Sequence, residues 1–320
     1  MPSQLVLKKR IASTQSLEKI FRAQELISAS RITKARQYAQ NAMPYADAIT
    51  KAVRAVSNHA SVEHILTNHK RKAKATALLV IASDRGMSGN YTSSIIRQAN
   101  AQIDKLKADG KNVLLYVSGK RAVSYYNFRN IKLENFWTGN SDAPAPERSQ
   151  EIAKALVDCF LKTSKNGGVD EVIIVCSEFV NMVLQRPRVI RMLPLQVVDE
   201  ENADISDSEE LGASLSKVAK VKNDVGQEAK KQGVPLYEFE PSPDAVLDAI
   251  LPRYVSSRIQ ECMLEAAASE TASRQTAMHT AGENANDLVE DLTRKANQAR
   301  QASITNELSE IVAGAAALQG

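Results

Sequence analysis

RITKARQYAQNAMPYADAITKAVRAVSNH, residues 31–59, repeats apolar or small side chains at alternating steps of three and four residues. The repeated positions are Ile32, Ala35, Ala39, Ala42, Ala46, Ile49, Val53 and Val56. Such a heptad pattern keeps one stripe of a helix against a partner helix. From Leu5 to His69 there is no glycine, and the single proline, Pro44, predicts a local kink. The sequence therefore predicts an N-terminal coiled-coil helix over residues 1–75.

The same rhythm continues upstream of residue 31. Leu17, Ile20 and Ile27 follow it with Gln24 between them, and the five-residue step to Ile32 shifts the register. We therefore expect these side chains to face the partner helix as well.

The C-terminal end of the chain has a matching pattern. Its seam is predicted at Leu264, Ala268, Thr271, Gln275, Met278, Ala281, Ala285, Leu288, Leu292, Ala296 and Ala299, and after a shift at Ile304 it resumes through Leu308, Ile311, Ala315 and Leu318. An alanine-rich seam buries little area, so a helix of this kind needs a partner. We predict that the helix within 237–320 pairs antiparallel with 1–75.

The central part of the chain, residues 76–198, reads as an α/β domain. Apolar runs at 76–83, 112–118 and 171–177 predict buried strands, and they alternate with helical stretches at 91–108, after Gly119 and at 147–165. Pro187 cannot donate to a central ladder, so 180–195 is predicted to be a hairpin or an edge strand. This order indicates a small, mostly parallel, Rossmann-like sheet covered on both faces. Residues 199–236, with seven acids and no base from Asp199 to Glu210, predict a polar, mobile insertion.

The composition argues against several classes of protein. The 320 residues are 43% hydrophobic, which excludes general disorder, and three cysteines are too few for a disulfide framework. No apolar run is long enough to span a bilayer, and the N-terminus lacks the pattern of a secretory signal. Residues 1–75 carry 14 Lys and Arg against 4 Asp and Glu, a net charge of +10, whereas 253–320 carry 6 against 9. This asymmetry indicates either a polyanionic partner or two segments that pair with each other.

The search for catalytic chemistry finds no constellation able to carry out a reaction. The loop Ser83–Asn90 has two glycines but neither phosphate-binding motif, so we predict a tight turn with Asp84 and Arg85 paired locally. His59, His64 and His69 are spaced by five residues, which scatters them around a helix axis and argues against a metal site. Cys176 is predicted to be an unreactive core thiol. We therefore expect no cofactor and no metal.

Four segments resemble the gamma subunits of F-type ATP synthases. SRITKA (30–35) is similar to their AASKxxKA stretch, and SDRGMSGN (83–90) to their SDRGLCGG turn. YEFEPSPDAVLDAILPRYV (237–255) and ARQASITNELSEIVAGAAAL (299–318) resemble two long C-terminal motifs of the family. The matches cover nearly the whole chain in the right order. The chain departs from the family's pattern at Ser88, where cysteine is usual, and at Gln24, where methionine is common.

The resemblance implies a non-catalytic, bacterial-type subunit that acts as the central shaft of a rotary complex. The implied partners are three alpha and three beta subunits, the epsilon subunit and the membrane c-ring, on which the α/β domain would stand as a foot. It also implies a peripheral location on the cytoplasmic side of the cell membrane, with no direct insertion and no nucleic acid. Candidate contacts with the surrounding subunits are Arg22, Arg31, Arg300, Gln301 and Thr305.

Two alternatives remain open from the residues alone. One is a nucleic-acid binder, which the basic N-terminal helix would support. The other is an α/β enzyme that uses the loop 84–90. Affinity for DNA at physiological salt would favour the first, and nucleotide binding by the isolated chain would favour the second.

Overall fold

A computed structural model describes residues 4–59, 73–162, 167–194, 240 and 242–319. In chain order the elements are α1 (Gln4–His59), β1 (Ala75–Ile81), α2 (Tyr91–Ala108), β2 (Asn112–Ser118), α3 (Lys120–Phe128), β3 (Asn135–Trp137), α4 (Pro146–Leu161), β4 (Glu171–Phe179), β5 (Gln185–Leu193) and α5 (Pro243–Gln319). The predicted insertion 199–236, His64 and His69 lie outside the described residues.

The five strands form one sheet in the order β3-β2-β1-β4-β5. Four strands are parallel, and β5 runs antiparallel to β4 with Pro187 opposite Ser177. Because β5 is an edge strand, the missing N–H of Pro187 costs no ladder hydrogen bond inside the sheet. The predicted mostly parallel sheet is therefore confirmed. The sequence analysis missed β3, which has three residues and buries only Trp137.

Both faces of the sheet are covered, which explains why all seven residues of β1 are buried. Leu78 and Val80 pack with α2 and α3 in one apolar cluster. Ala77, Leu79 and Ile81 pack on the other face with α4 and with the parts of α1 and α5 nearest the sheet. Each face thus has its own core, and α1 and α5 contribute to one of them.

One buried ion cluster closes the edge of the sheet where β4 begins. Glu171 lies opposite Thr76 of β1 and is 2% exposed. Its carboxylate contacts Lys111 Nζ at 2.8 Å and Arg191 Nε at 2.7 Å, and it accepts a hydrogen bond from Thr76 Oγ1 at 3.1 Å. Burial opposes ionisation, but the hydrogen bond from Lys111 and the charge of Arg191 hold the pKa of Glu171 below its usual range.

The chain divides into two compact units, residues 1–31 with 274–320 and residues 32–273. In the first unit, Leu7 and Ile11 pack against Leu292, Ala296 and Ala299. Further along, Glu25 Oε1 lies 3.0 Å from His279 Nδ1. The contacts on α5 move to lower residue numbers as those on α1 rise, so the two helices run antiparallel, as predicted.

The seam of the first unit differs from the predicted one. Leu17, Ile20 and Ile27 are 45–51% exposed, so their predicted inward orientation is wrong. The inward positions of α1 are occupied by Leu7, Ile11, Thr14, Phe21, Gln24 and Ser28, of which Leu7 and Ser28 are buried and the rest half-buried. Counting apolar residues misled the prediction, because this helix has apolar side chains on its outer face and polar ones in the seam.

On α5 the predicted seam is confirmed at Met278, Ala285, Leu292 and Ala296, which are buried, whereas Leu288 is exposed and Val289 is half-buried in its place. Ile304, Leu308 and Ile311 are also exposed, so the predicted resumption of the seam is wrong at these positions, and the side chains of Ala315 and Leu318 lie outside the described ones. Because the start of α1 already lies beside Leu292 and Ala296, α5 has no described helix beside it beyond about Ala299.

In the second unit the heptad positions of α1 behave as predicted. Ile32, Ala35, Ile49, Val53 and Val56 are buried, and the alanines at 39, 42 and 46 are half-buried. The helix runs through Pro44 without a break. Helix α5 begins ahead of Pro252, at Pro243, where the Ser242 hydroxyl accepts a hydrogen bond from the N–H of Ala245.

Candidate functional site at the junction of the sheet and the terminal helices

The loop that follows β1 lies at the position where α/β folds of this kind hold ligands. The chain passes from β1 to β2 and β3 on one side, and then returns to β4 on the other side of β1. The carboxyl ends of β1 and β4 thus flank a topological switch point, the usual place of a bound nucleotide. The loop Ser83–Asn90 occupies this edge.

Asp84 fixes the loop through backbone hydrogen bonds. Its carboxylate accepts from the N–H groups of Lys120, Gly139 and Ser141 at 2.8–3.0 Å. Arg85 forms an ion pair with Asp142 at 3.6 Å. The predicted local pairing of Asp84 and Arg85 is therefore wrong: Asp84 reaches the segments that follow β2 and β3, and Arg85 reaches the segment that follows β3. Asp84 thereby joins three segments at the same edge of the sheet.

Helix α5 lies against this loop from the other side. The Tyr91 hydroxyl donates to the carbonyl of Ala266 at 3.1 Å, and the Ser273 hydroxyl donates to the carbonyl of Ser88 at 2.9 Å. Ser88, Tyr91 and Ala266 are all buried. The chain's own helix therefore covers the switch point, and the loop fastens the sheet to the coiled-coil region of this unit.

A charged cluster lies where α5 crosses β4 and β5. Arg258 and Glu261 form an ion pair on α5, and Glu265 follows one turn later. Burial raises the pKa of Glu265 to about 7, with the negative charges of Glu261 and Glu178 adding to the effect and Arg188 and Arg258 opposing it. A carboxyl of this kind changes its charge near neutral pH.

Cys176 and Cys262 also meet at this crossing. Both thiols are free and buried. Their mutual hydrogen bond and their burial raise the pKa of Cys176. Because the thiolate is the reactive form, this supports the prediction that Cys176 is an unreactive core thiol.

Comparison with known proteins identifies the family. The sequence model of the ATP synthase family matches residues 3–318. The "ATP synthase gamma chain" of Bifidobacterium adolescentis is 50% identical over 318 residues, covering 99% of this chain and 98% of its own length. This chain belongs to the ATP synthase gamma chain family. The gamma chain of Micrococcus luteus is 45% identical over 313 residues, covering 98% of this chain and 97% of its own length.

Solved structures support the fold of a gamma chain. A chain of the Tetrahymena thermophila mitochondrial ATP synthase central stalk and c-ring has a TM-score of 0.56 at 19% identity, covering 82% of this chain and 99% of its own. A chain from the Euglena gracilis mitochondrial ATP synthase, described as OSCP/F1/c-ring in rotational state 3, has a TM-score of 0.56 at 14% identity, covering 98% and 94%. The predicted combination of an antiparallel coiled coil with a central α/β domain is thereby confirmed.

The five residues that the family resemblance predicts to contact other subunits all lie in the first unit. Arg300, Gln301 and Thr305 are exposed on one segment of α5, where the Thr305 hydroxyl donates to the Gln301 carbonyl at 2.9 Å. Arg22 and Arg31 are exposed on α1. Arg22 lies within a turn of Glu25, which pairs with His279, so it is about 30 Å along the helix pair from Arg300 at 1.5 Å rise per residue. The structure thus groups the three α5 residues and leaves Arg22 apart from them.

Two other features concern membrane and metal. Within the described ranges, no helix has the length and apolar character needed to cross a membrane. Over the same ranges, no three His, Cys, Asp or Glu side chains are grouped so that they could hold a metal ion.

The sequence analysis missed Tyr91, Ser273 and Glu265. Tyr91 directly follows a loop that was recognised, but nothing in the sequence places α5 across it. Glu265 appears in the sequence as one of many helical glutamates. Its environment arises only when α5, β4 and β5 come together.

We expect the hydroxyls that fasten α5 to the loop to contribute measurably to stability. Tyr91→Phe and Ser273→Ala should each lower the free energy of unfolding by about 1 kcal/mol, because the first removes a buried hydrogen bond and the second a partly buried one. Each accepting carbonyl keeps its backbone hydrogen bond in the helix or the turn. Urea unfolding of the full chain measures both effects. Tyr38→Phe, at an exposed position on α1, is the control and should change stability by less than about 0.5 kcal/mol. Equal stability of Tyr91→Phe and the parent chain would contradict a fastening role.

Proposed function

We propose that this chain is the central rotating shaft of an F-type ATP synthase. In this role it couples proton flow through the membrane rotor to sequential conformational change in the catalytic beta subunits. The observation that carries the proposal is the antiparallel pairing of residues 1–31 with 274–320 in a chain that matches gamma chains over its full length. The partners are three alpha and three beta subunits, the epsilon subunit and the c-ring. The similarity to a chain from the Tetrahymena thermophila central stalk and c-ring supports the last of these.

In this mechanism the chain acts through contacts that change as it rotates, and not through chemistry of its own. An asymmetric helix pair cannot present the same face to three identical subunits at once, so each beta subunit is biased toward a different state. Moving a two-state equilibrium from 1:99 to 99:1 requires about 5.5 kcal/mol of differential binding. Contacts that change with rotational position supply this difference.

We propose that Arg300, Gln301 and Thr305 make such contacts, together with Arg22 and Arg31. The three α5 residues lie on the segment that has no described helix of the same chain beside it, so their side chains are available to surrounding subunits. The exposed apolar residues Leu17, Ile20 and Ile27 offer further contact area on α1. Guanidinium groups suit acidic loops, because they form charge-assisted hydrogen bonds with carboxylates.

The chain itself performs no catalysis in this proposal. The place where a nucleotide would bind in a related α/β fold is covered by α5, through the contacts of Ser88 and Tyr91. We place the chain at the cytoplasmic side of the cell membrane as a peripheral subunit. The family's complex carries out ATP synthesis, and this chain transmits the torque.

Co-purification tests the proposal most directly. A tag on this chain should recover alpha and beta subunits at three copies of each per copy of the tagged chain, measured by native mass spectrometry. The recovered complex should hydrolyse ATP, whereas the isolated chain should not bind ATP in an equilibrium assay. Recovery of the chain alone from membranes that contain active ATP synthase, or tight ATP binding by the isolated chain, would contradict the proposed role.

A further inference from the structure

We propose that Asp84 is a positioning residue for torque transmission: it fixes the loop 83–90 so that movement of the sheet is passed to α5. This inference rests on the proposed rotary function and names the place where the α/β domain is fastened to the shaft. The contacts that carry it all lie within the second unit.

The sheet end of this connection is held by backbone groups of two segments. One oxygen of the Asp84 carboxylate accepts a hydrogen bond from the N–H of Lys120 at 2.8 Å. The other oxygen accepts from the N–H groups of Gly139 at 3.0 Å and Ser141 at 2.9 Å. The N–H of Asp84 in turn donates to the Ser141 hydroxyl at 2.9 Å. Because Lys120 begins α3, the helix dipole also favours the negative charge of residue 84 at this position.

Gly119 lets α3 begin close to the end of β1, where Asp84 follows. It has a φ of +114°, a region that favours glycine, and a Cβ atom there would lie 2.3 Å from the carbonyl oxygen of Ala82. Its N–H donates to the carbonyl of Trp137 in β3 at 2.8 Å. The ends of β1 and β3 and the start of α3 therefore meet, which brings the three N–H donors within reach of one carboxylate.

The α5 end of the connection is held at two points. The Ser88 carbonyl accepts from the Ser273 hydroxyl at 2.9 Å, and the Tyr91 hydroxyl donates to the Ala266 carbonyl at 3.1 Å. The N–H of Tyr91 also donates to the Ser88 carbonyl at 3.1 Å, so both contacts come from one turn. Ala266 and Ser273 are two helical turns apart, about 10 Å along α5. Two contacts at this separation oppose both sliding and tilting of α5 against the loop.

The chain between the two ends is short. Only residues 85–87 separate Asp84 from Ser88, and a segment of this length extends to at most about 14 Å. Ahead of it, the Ser83 hydroxyl lies 2.6 Å from the hydroxyl of Thr92, which ties the start of the loop to α2. A displacement at Asp84 therefore has little chain in which to be absorbed before it reaches Ser88.

The proposed function gives this connection a specific task. In the proposed complex the α/β domain stands on the c-ring, and the alpha and beta subunits surround the first unit. Helix α5 runs from Pro243 to Gln319 and so belongs to both units. ATP hydrolysis depends on contacts of the first unit, whereas proton pumping also requires the sheet and α5 to move together. Weakening the loop should therefore lower the number of protons pumped per ATP hydrolysed and leave hydrolysis nearly unchanged.

Asp84→Asn tests the inference in the assembled complex. The amide nitrogen of asparagine is a donor, so it cannot accept from the N–H groups that face one of the carboxylate oxygens. Protection of peptides containing Lys120, Gly139 or Ser141 against hydrogen exchange should fall about tenfold. In reconstituted vesicles, ATP hydrolysis should stay within about twofold of the parent complex, and protons pumped per ATP hydrolysed should fall about twofold or more. Asp104→Asn, at an exposed position on α2, is the matched control and should change neither quantity.

A second variant tests the other end of the connection and keeps the test decisive if Asp84→Asn does not fold. Tyr91→Phe with Ser273→Ala should lower the protons pumped per ATP hydrolysed in the same way. Because both ends lie on one path, adding Asp84→Asn to this pair should lower the ratio no further.

Three outcomes would overturn the inference: a parent-level ratio in either variant, additive losses when the variants are combined, or a parallel loss of hydrolysis and pumping, which indicates a structural role alone. A parent complex that assembles without pumping protons would contradict the proposed function itself, and so differs from a failure of this inference alone.

Discussion

Glu171→Ala is expected to lower the free energy of unfolding by about 3 kcal/mol, the lower end of the range for removing one partner from a buried ion pair, because Lys111 and Arg191 are partly exposed to water. The substitution leaves the positive charges of Lys111 and Arg191 without their carboxylate partner, because Lys111 Nζ and Arg191 Nε both lie within 2.8 Å of the Glu171 carboxylate. It also removes the acceptor of the Thr76 hydroxyl. Urea unfolding of the full chain at pH 7 measures the loss.

The pH dependence and a surface variant provide the controls. The pKa of Glu171 is lowered in the folded chain, so its stabilising effect is present above its ordinary value of 4.5 and is lost as pH falls through the lower folded value. The difference between parent and variant should therefore shrink in acid. Glu151→Ala breaks an exposed pair with Arg148 on α4 and should cost less than about 1 kcal/mol. A Glu171→Ala chain as stable as Glu151→Ala would show that the cluster is not a structural anchor.

The sequence predicted the sheet well because buried parallel strands are short apolar runs separated by glycine-containing turns. The run at 112–118 coincides with β2, and the helical stretch at 91–108 coincides with α2. Strand β3 escaped prediction because three residues with one buried side chain have no detectable period. Apolar periodicity is informative only where one face is buried over several residues.

The heptad pattern predicted the buried side of α1 correctly in only one of the two units. In the second unit, where Val53 and Val56 of α1 pack in one cluster with α5 and the sheet, Ile32, Val53 and Val56 are buried as predicted. In the first unit, the pattern at Leu17, Ile20 and Ile27 marks the exposed side of the helix. A chain that binds other subunits can have apolar residues on both sides of a helix, and a single sequence does not say which side its own partner helix takes.

The candidate site was the least predictable part, because it depends on long-range juxtaposition. Ser88 and Ser273 are separated by 185 residues, yet one donates to the other. The charges around Glu265 come from three elements, and none of them has an unusual local sequence. Arg300, Gln301 and Thr305 are predicted contact residues through the family resemblance alone, since the packed cluster of the described first unit reaches only Ala299 on α5.

Replacing Arg300, Gln301 and Thr305 together with alanine is expected to reduce ATP turnover by the assembled complex about 100-fold. Each side chain can offer one hydrogen bond to a surrounding subunit at about 1 kcal/mol, and the guanidinium of Arg300 more, so the total loss is about 3 kcal/mol. All three residues are exposed on α5, so the free energy of unfolding of the chain should change by less than about 0.5 kcal/mol. ATP hydrolysis and synthesis in reconstituted complexes measure the effect.

The control for this result is a double variant on the same helix, about one to two turns nearer the segment of α5 that packs against α1. Arg294→Ala with Asn297→Ala alters two exposed residues beside the α1 pairing region and should leave turnover within about twofold. If the triple variant fails to recover three alpha and three beta subunits, the residues act in assembly. If it recovers them and turns over slowly, they act in the rotational bias. Parent-level turnover in an intact complex would show that these three side chains are not part of the contact surface.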